Sequence, residues 1–384
     1  MKFEIAPLSD IVKLRIKISK NMIYRAIGIM SGSSLDGLDI AFTEFTETGG
    51  KWNYEIIATQ CLTYTNEWKK KLLTAVDLSA LSYQLLHSEY GHYIGNAVNK
   101  FIAQNNLHHR VNLIASHGHT TFHLPHKKMT AQLGDGAAIA AVTQLPVISD
   151  LRSMDIAFGG QGAPIVPIGE KLLLSDCQYL LNIGGIANIS LNINGNYKAF
   201  DICSANRVLN MLVAQKELPY DDGGKIASAG KVNFKLLQQL NELSYYSQPA
   251  PKSLSNEFGT TVVYPIIENA QLSVEDALRT YTEHIALQLK AVFANIDQDT
   301  FDKKMLVTGG GAFNTFLIER ITDLLKENDI TIVIPGDQLV QYKEALIMSL
   351  MGVLRWREET NVLCSVTGAA QNSIGGALWL GTEA

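Results

Sequence analysis

Apolar residues recur along the chain in two alternating rhythms. Short apolar and β-branched runs bounded by Gly, Asn, Asp or Ser predict strands over 23–30, 38–45, 54–62, 111–115, 146–149, 179–183, 187–193, 304–308 and 331–334. Between several of these the helical period predicts helices over 66–77, 81–105, 136–144, 205–216, 270–296, 312–326 and 340–357. Strands and helices mixed in this way give an α/β class. A strand, a glycine-rich turn and a second strand occur over 28–41 and recur over 180–191, which implies a duplicated hairpin core.

With 384 residues and 47% hydrophobic content the chain exceeds what one core usually organises, so two domains are expected. Residues 1–21 read as an extension, because Met22 opens the first core strand. A boundary near 151 follows from Ser149-Asp150-Leu151-Arg152, which closes a strand before the Gly159-Gly160-Gln161-Gly162 loop. The chain end is expected to cross back, giving a first domain of 22–151 plus 373–384 and a second of 152–372.

Charge and cysteine usage narrow the partners. The 32 Lys+Arg and 37 Asp+Glu residues give a formal charge of -5, with no basic block dense enough for nucleic acid. Cys61, Cys177, Cys203 and Cys364 lie far apart, without the short spacings of zinc sites or redox pairs, as expected of a reducing cytoplasm. The longest apolar stretch, 345–354, is too short to span a bilayer, and no export segment is expected.

Three small-residue turns at strand ends carry the candidate chemistry. The first is Met30-Ser31-Gly32-Ser33-Ser34-Leu35-Asp36-Gly37-Leu38-Asp39, whose amides could cradle phosphate oxygens while Asp36 holds Mg²⁺ through water; a plain tight hairpin is the alternative. The second holds Gly184 and Gly185, and the third Gly309, Gly310 and Gly311 before a helix. Together they suggest a nucleotide in a cleft, although none matches a Walker-A or GxGxxG pattern. Phosphoryl transfer also needs a base, for which Asp201, read as following an apolar strand, is the candidate; an N-cap is its other reading. Asp150, Asp155 and Glu344 are further acids. His117, His119, His123 and His126 invite a zinc reading, yet lack an HExxH spacing and fit a pocket wall better, with Ser116-His117-Gly118-His119 ending a strand.

These motifs, in order, resemble the anhydro-N-acetylmuramic acid kinases. The resemblance rests on 28–39, Ser116-His117-Gly118-His119-Thr120, 155–164, Leu181-Asn182-Ile183-Gly184-Gly185 and Gly309-Gly310-Gly311-Ala312-Phe313-Asn314, and covers almost everything from Met22 onward. It implies a two-domain actin-like ATPase (ribonuclease H-like) fold with an interdomain cleft. It implies ATP and Mg²⁺, a homodimer, and the sugar 1,6-anhydro-N-acetylmuramic acid as the acceptor. By position Asp201 corresponds to the general base and Glu344 to an acidic active-site residue. Residues 32–39, 184–185, 309–311 and Asn314 fall to ATP, and His117, His119, Gln161 and Asn206 to the sugar.

Two positions depart from the family pattern: His119 stands where Gln is usual, and Cys203-Ser204-Ala205 where a Gly-Pro-Gly run is usual. The first changes a carboxamide pair into a single hydrogen bond, and the second alters the turn after the candidate base. A nucleotide-dependent switch protein without sugar kinase activity and a zinc hydrolase are the competing readings.

Overall fold

The computed structural model describes residues 22–381 except 33–34, 194–195, 251, 256 and 296–302. The expected extension over 1–21, the loop residues Ser33 and Ser34, and residues 382–384 therefore lie outside the described residues.

The alternating runs form two sheets. The first contains β1 (Met22–Ser31), β2 (Gly37–Thr48), β3 (Lys51–Thr63), β4 (Leu113–Leu124), β5 (Met129–Leu133) and β6 (Val147–Ser149). The second contains β7 (Tyr179–Ile183), β8 (Ile186–Ile193), β9 (Asn196–Ser204), β10 (Lys303–Thr308) and β11 (Ile330–Val333), while β12 (Ala377–Trp379) returns to the first. Their orders are β12-β6-β4-β1-β2-β3, with β5 on β4, and β11-β10-β7-β8-β9. In each, the opening three strands are antiparallel neighbours and two later strands join in parallel. One topology therefore occurs twice, as the recurring glycine turns and the implied fold class require.

The helices are α1 (Asn66–Leu73), α2 (Ala80–Gln104), α3 (Gly136–Thr143), α4 (Ser153–Ala157), α5 (Pro167–Leu173), α6 (Asn206–Ala214) and α7 (Lys225–Ala229). They continue with α8 (Phe234–Asn241), α9 (Tyr264–Asn269), α10 (Val274–Val292), α11 (Thr315–Leu325), α12 (Asp337–Trp356) and α13 (Cys364–Thr367). Apolar stripes on α2 and α3 bury Tyr90, Ile94, Phe101 and Ile139 with Ile27, Ile40 and Phe42 of the first sheet. Those on α6, α10 and α11 bury Val208, Tyr281, Ile285 and Leu317 with Ile183, Ile189 and Val307 of the second.

Between the sheets lies a third apolar layer around α12. Its long apolar run leaves Leu346, Ile347, Leu350 and Val353 fully buried, each contributing about 2 kcal/mol over an exposed position. They pack with Tyr24, Ala26, Phe45 and Leu113 of the first sheet and with Tyr197 and Ala199 of β9. The approach to β1 is backbone to backbone, since a Cβ at Gly28 would overlap the Ala345 carbonyl. The layer also holds a buried ion pair, Lys343 Nζ to Glu170 Oε1 at 2.9 Å. At its start α12 departs from helical geometry at Tyr342 (φ -114°, ψ 17°), and the Gly309 N–H reaches the Val340 carbonyl at 3.2 Å. One helix thus ties the third glycine turn to the first sheet.

Several elements differ from the sequence expectation. The strand expected to end at 115 runs to Leu124, through the histidine motif. β9 extends through Ser204, so Asp201 lies inside a strand rather than after one, and Ala205 stands at the N-cap of α6. The helix expected over 270–296 begins at Val274, where the Ser273 side chain accepts the Asp276 N–H, because Ser and Asp compete for cap positions rather than helix interiors. Among the described residues no helix is long and apolar enough to cross a membrane.

Candidate active site

The β1–β2 turn brings acids to one end of the first sheet. Leu35 adopts a left-handed φ of 56°, its N–H meets the Gly32 carbonyl at 3.4 Å, and the Asp36 carboxylate accepts the Gly37 N–H at 2.9 Å. Asp39 follows on β2 opposite Cys61 of β3. Burial raises its carboxyl to about 6, against the Cys61 hydrogen bond, and the charges of Asp36 and Glu344 add to the rise. Glu344 comes from α12 just past the Tyr342 irregularity; burial raises it while Lys343 and Arg152 pull it down. Asp36, Asp39, Glu344 and Arg152 thus share one electrostatic neighbourhood.

The histidine motif lies on β4 beside this group. His117 Nδ1 pairs with the Gly118 carbonyl at 2.8 Å, and Arg152 Nε donates to His117 Nε2 at 2.8 Å. The ring is therefore the neutral Nδ1–H tautomer, and burial plus the Arg152 charge push it down to about 3. His119 Nδ1 meets Ser31 Oγ at 3.1 Å, Ser31 accepts from Tyr64 at 2.8 Å, and the Tyr64 and Tyr90 hydroxyls share a 2.5 Å bond. Burial lowers His119 to about 4. His123 and His126 are exposed. With both His117 nitrogens engaged by the protein, the histidines form a hydrogen-bonded wall, not a zinc cage.

Arg152 and Asp155 fix the loop that follows. Arg152 Nη1 donates to the Gly162 carbonyl at 2.6 Å, and Asp155 accepts the Gly162 N–H at 2.8 Å and the Thr367 hydroxyl at 2.6 Å. Asp155 is fully buried and anchors the loop, so the sequence reading of it as an acid of the site is corrected. Gln161 is exposed on that loop, its N–H held by the Thr367 carbonyl at 2.9 Å.

The second half offers backbone and a cavity. Gly184 and Gly185 receive the first amides of α6, from Asn206 at 3.0 Å and Ala205 at 2.8 Å, and Asn206 Nδ2 donates to the Ile183 carbonyl at 3.1 Å. Gly309, at φ 80°, starts a tight turn that Asn314 closes by accepting the Leu317 N–H at 3.0 Å as N-cap of α11. A cavity of about 370 Å³ opens between this turn, α6 and α10, lined by Asn206, Gly310, Gly311, Asn314, Tyr220 and Thr282 among others. Such a volume suits a small ligand.

Asp201 sits five residues before Asn206 on β9. Its carboxylate accepts the Leu254 N–H at 2.8 Å and the Ser253 hydroxyl at 3.0 Å, and burial raises it above the usual carboxylate range. It caps no helix. The Cys203-Ser204 departure continues the strand, paired with Ala187 and Ile186 of β8, and the Tyr281 hydroxyl donates to the Ser204 carbonyl at 2.8 Å.

A family model described as anhydro-N-acetylmuramic acid kinase matches residues 24–381. The chain belongs to the anhydro-N-acetylmuramic acid kinase family. Relatives bearing that name include one from Francisella tularensis subsp. novicida, 36% identical over 92% of this chain and 97% of its own length. Another from Sulfurovum sp. is 33% identical over 93% and 99%, and one from Haemophilus influenzae 31% over 89% and 94%. The chain is therefore a sugar kinase, a phosphotransferase, which decides against both the switch protein without sugar kinase activity and the zinc hydrolase.

In this kinase the residues singled out from sequence fall into three groups. Asp36, Asp39, Glu344, His117 and His119 gather at the first sheet; Gly310, Gly311, Asn206 and Asn314 line the cavity; Asp201 lies on β9, held by 253–254. Leu38 is fully buried in the core, and the Gly184 and Gly185 carbonyls are engaged by α6. Sequence reasoning missed Arg152, the 252–254 segment, and the cavity residues Leu209, Tyr220, Asp221, Gly223 and Thr282. The turn-rich Asp221-Asp222-Gly223-Gly224 run was the available signal for part of the cavity.

Proposed function

We propose that the kinase opens and phosphorylates 1,6-anhydro-N-acetylmuramic acid with MgATP. Water attacks the anomeric carbon, the C1–O6 bond breaks, O6 takes the γ-phosphoryl group, and ADP leaves with N-acetylmuramate 6-phosphate. Asp201 accepts the proton of the attacking water. A carboxylate fixed by two donors on a rigid strand and raised by burial is a stronger base than a solvated one. Glu344, held between the charges of Lys343 and Arg152, faces the reacting sugar.

The observation that carries this reading is the cavity bounded by the third glycine turn and Asn206, five residues from the candidate base. ATP placed there would set its phosphates against the 309–311 turn. No three His, Cys, Asp or Glu side chains among the described residues converge on a ready-made metal cage, while Asp36 and Asp39 repel one another. That combination fits an ion that keeps its waters and leans on phosphates, with Asp36 holding it through water. Mg²⁺ bound there would neutralise charge on the β- and γ-phosphates.

His119 and Gln161 are assigned to sugar recognition, with His117 positioning Arg152 and Asn206 bounding the nucleotide cavity, and Gly32, Gly37 and Gly309 to the phosphate path. The two sheets are assigned to two domains that close over both substrates, 22–151 with 373–384 and 152–372, with α12 of the second packing against the first sheet and β12 returning to the first. A homodimer working in the cytoplasm, on cell-wall sugar being recycled, completes the proposal. The test is coupled ADP release with the anhydro sugar. Sugar-dependent ADP is expected, and intact protein that binds ATP without producing it would overturn the function.

A further inference from the structure

We propose that the Thr282 hydroxyl recognises the nucleobase of the nucleotide. This rests on the reading of the cavity between α6, α10 and the 309–314 turn as the ATP site. Thr282 lies inside α10, where a threonine normally bonds back to the carbonyl four residues earlier. Thr280, on the same helix, does so with Asp276 at 2.7 Å, and Thr322 on α11 with Ile318 at 2.7 Å. Thr282 does not: it is 0% exposed, and its hydroxyl has no hydrogen-bond partner among the described residues. Leaving a buried hydroxyl unpaired is costly, and of the unpaired side-chain hydroxyls among the described residues Thr282 is the one on the cavity wall, where a ligand can use it.

The cavity wall shows what that is. Three other polar side chains of the lining are engaged in the fold: Asn206 on Ile183, Asn314 on Leu317, and the Asp221 carboxylate on the Ile226 and Ala227 amides at 2.9 Å each; Asn210 lies at the exposed side of the lining. Tyr220 and Phe313 also line the cavity and are 61% and 43% exposed. Aromatic walls beside a buried rotatable hydroxyl complement a flat heteroaromatic ring that carries hydrogen-bonding atoms on its rim, and not a phosphate.

Wild type, Thr282→Val and Thr282→Ser are compared for binding of ADP, 2′-deoxy-ADP and inorganic pyrophosphate by calorimetry, and for melting temperature. Val keeps the shape and removes the hydroxyl. Thr282→Val is expected to bind ADP and 2′-deoxy-ADP about tenfold more weakly and pyrophosphate equally well, with Thr282→Ser close to wild type. Its ligand-free melting temperature is expected to match or exceed wild type, because an unpaired hydroxyl has gone; a purely structural role would lower it. If wild type binds ADP and Thr282→Val binds it equally, Thr282 has no such role. A loss seen with ADP and absent with 2′-deoxy-ADP would reassign the hydroxyl to the ribose and overturn the proposal. Wild-type protein that fails to bind ADP would instead remove the ATP-site reading itself.

Discussion

The two halves share one strand order and divide the chemistry unequally. At the first sheet the turn between β1 and β2 gathers ionisable side chains: Asp36, Asp39 raised to about 6, Glu344, and two imidazoles held neutral at about 3 and about 4. At the second sheet the corresponding turns present mainly backbone, their carbonyls and amides tied to α6 and α12, beside a formed cavity. A repeated topology fixes where turns fall, and the side chains placed on them decide what each turn does. The charged turn suits transfer chemistry and the backbone-lined one suits holding a nucleotide.

The division is broken most severely by Asp201→Asn, expected to lower kcat about 10³-fold while ADP affinity stays at the wild-type value. Sugar-dependent ADP release and calorimetry measure the two, and a variant retaining a tenth of the activity would remove Asp201 as the base. Glu344→Gln, on the opposite side, is expected to cost about 10²-fold in kcat. It should also move the Asp39 carboxyl below about 6, because the Glu344 charge helps to hold it up. Carboxyl NMR titration reads that shift, and an unmoved Asp39 would show that the two acids do not sense one another.

Stability separates the halves further. Gly28→Ala forces a Cβ into the α12 backbone and is expected to cost about 2–3 kcal/mol, read from urea midpoints. Gly185→Ala meets nothing closer than Arg207 at 3.7 Å and is expected to stay within about 0.5 kcal/mol. Equal costs would contradict the different packing around the two glycines.

His119 gives the smallest effect. Its folded pKa is depressed from 6.5 to about 4, so below about 6.5 the unfolded chain takes up a proton that the fold refuses. This stability is present above that pH and is lost as pH falls toward 4. Between pH 7 and pH 5 wild type should lose about 2 kcal/mol on this account, and His119→Gln should not. Parallel pH–stability curves for the two proteins would contradict a neutral buried His119.

How far the sequence revealed this depends on whether a feature is local. The hairpins were legible because Gly, Ser and Asp bracket apolar runs at 28–41 and 180–191, and turn chemistry acts over a few residues. β4 was cut short at 115 because His117, Gly118 and His119 read as polar, whereas pairing with β1 and β5 buries both imidazoles. Asp201 was found as an acid but not as a strand residue, because its pairing with Asn188 and its contacts with 253–254 are long-range. The rest of the cavity wall was invisible, since Leu209, Tyr220, Thr282 and Phe313 meet only when α6 and α10 dock. Asn314 was placed at the ligand from its motif; it lines the cavity while its oxygen caps α11.

The late position of α12 in the chain sets an order of manufacture. A ribosome-bound chain has made β1 to β6 by residue 149 and β7 to β11 by residue 333, yet the helix that covers Ala26, Phe45 and Leu113 begins only at Asp337. The half begun first is thus finished last. Until its covering helix emerges, that greasy sheet face is work for a chaperone, and a message truncated before residue 337 would yield a chain with that face uncovered.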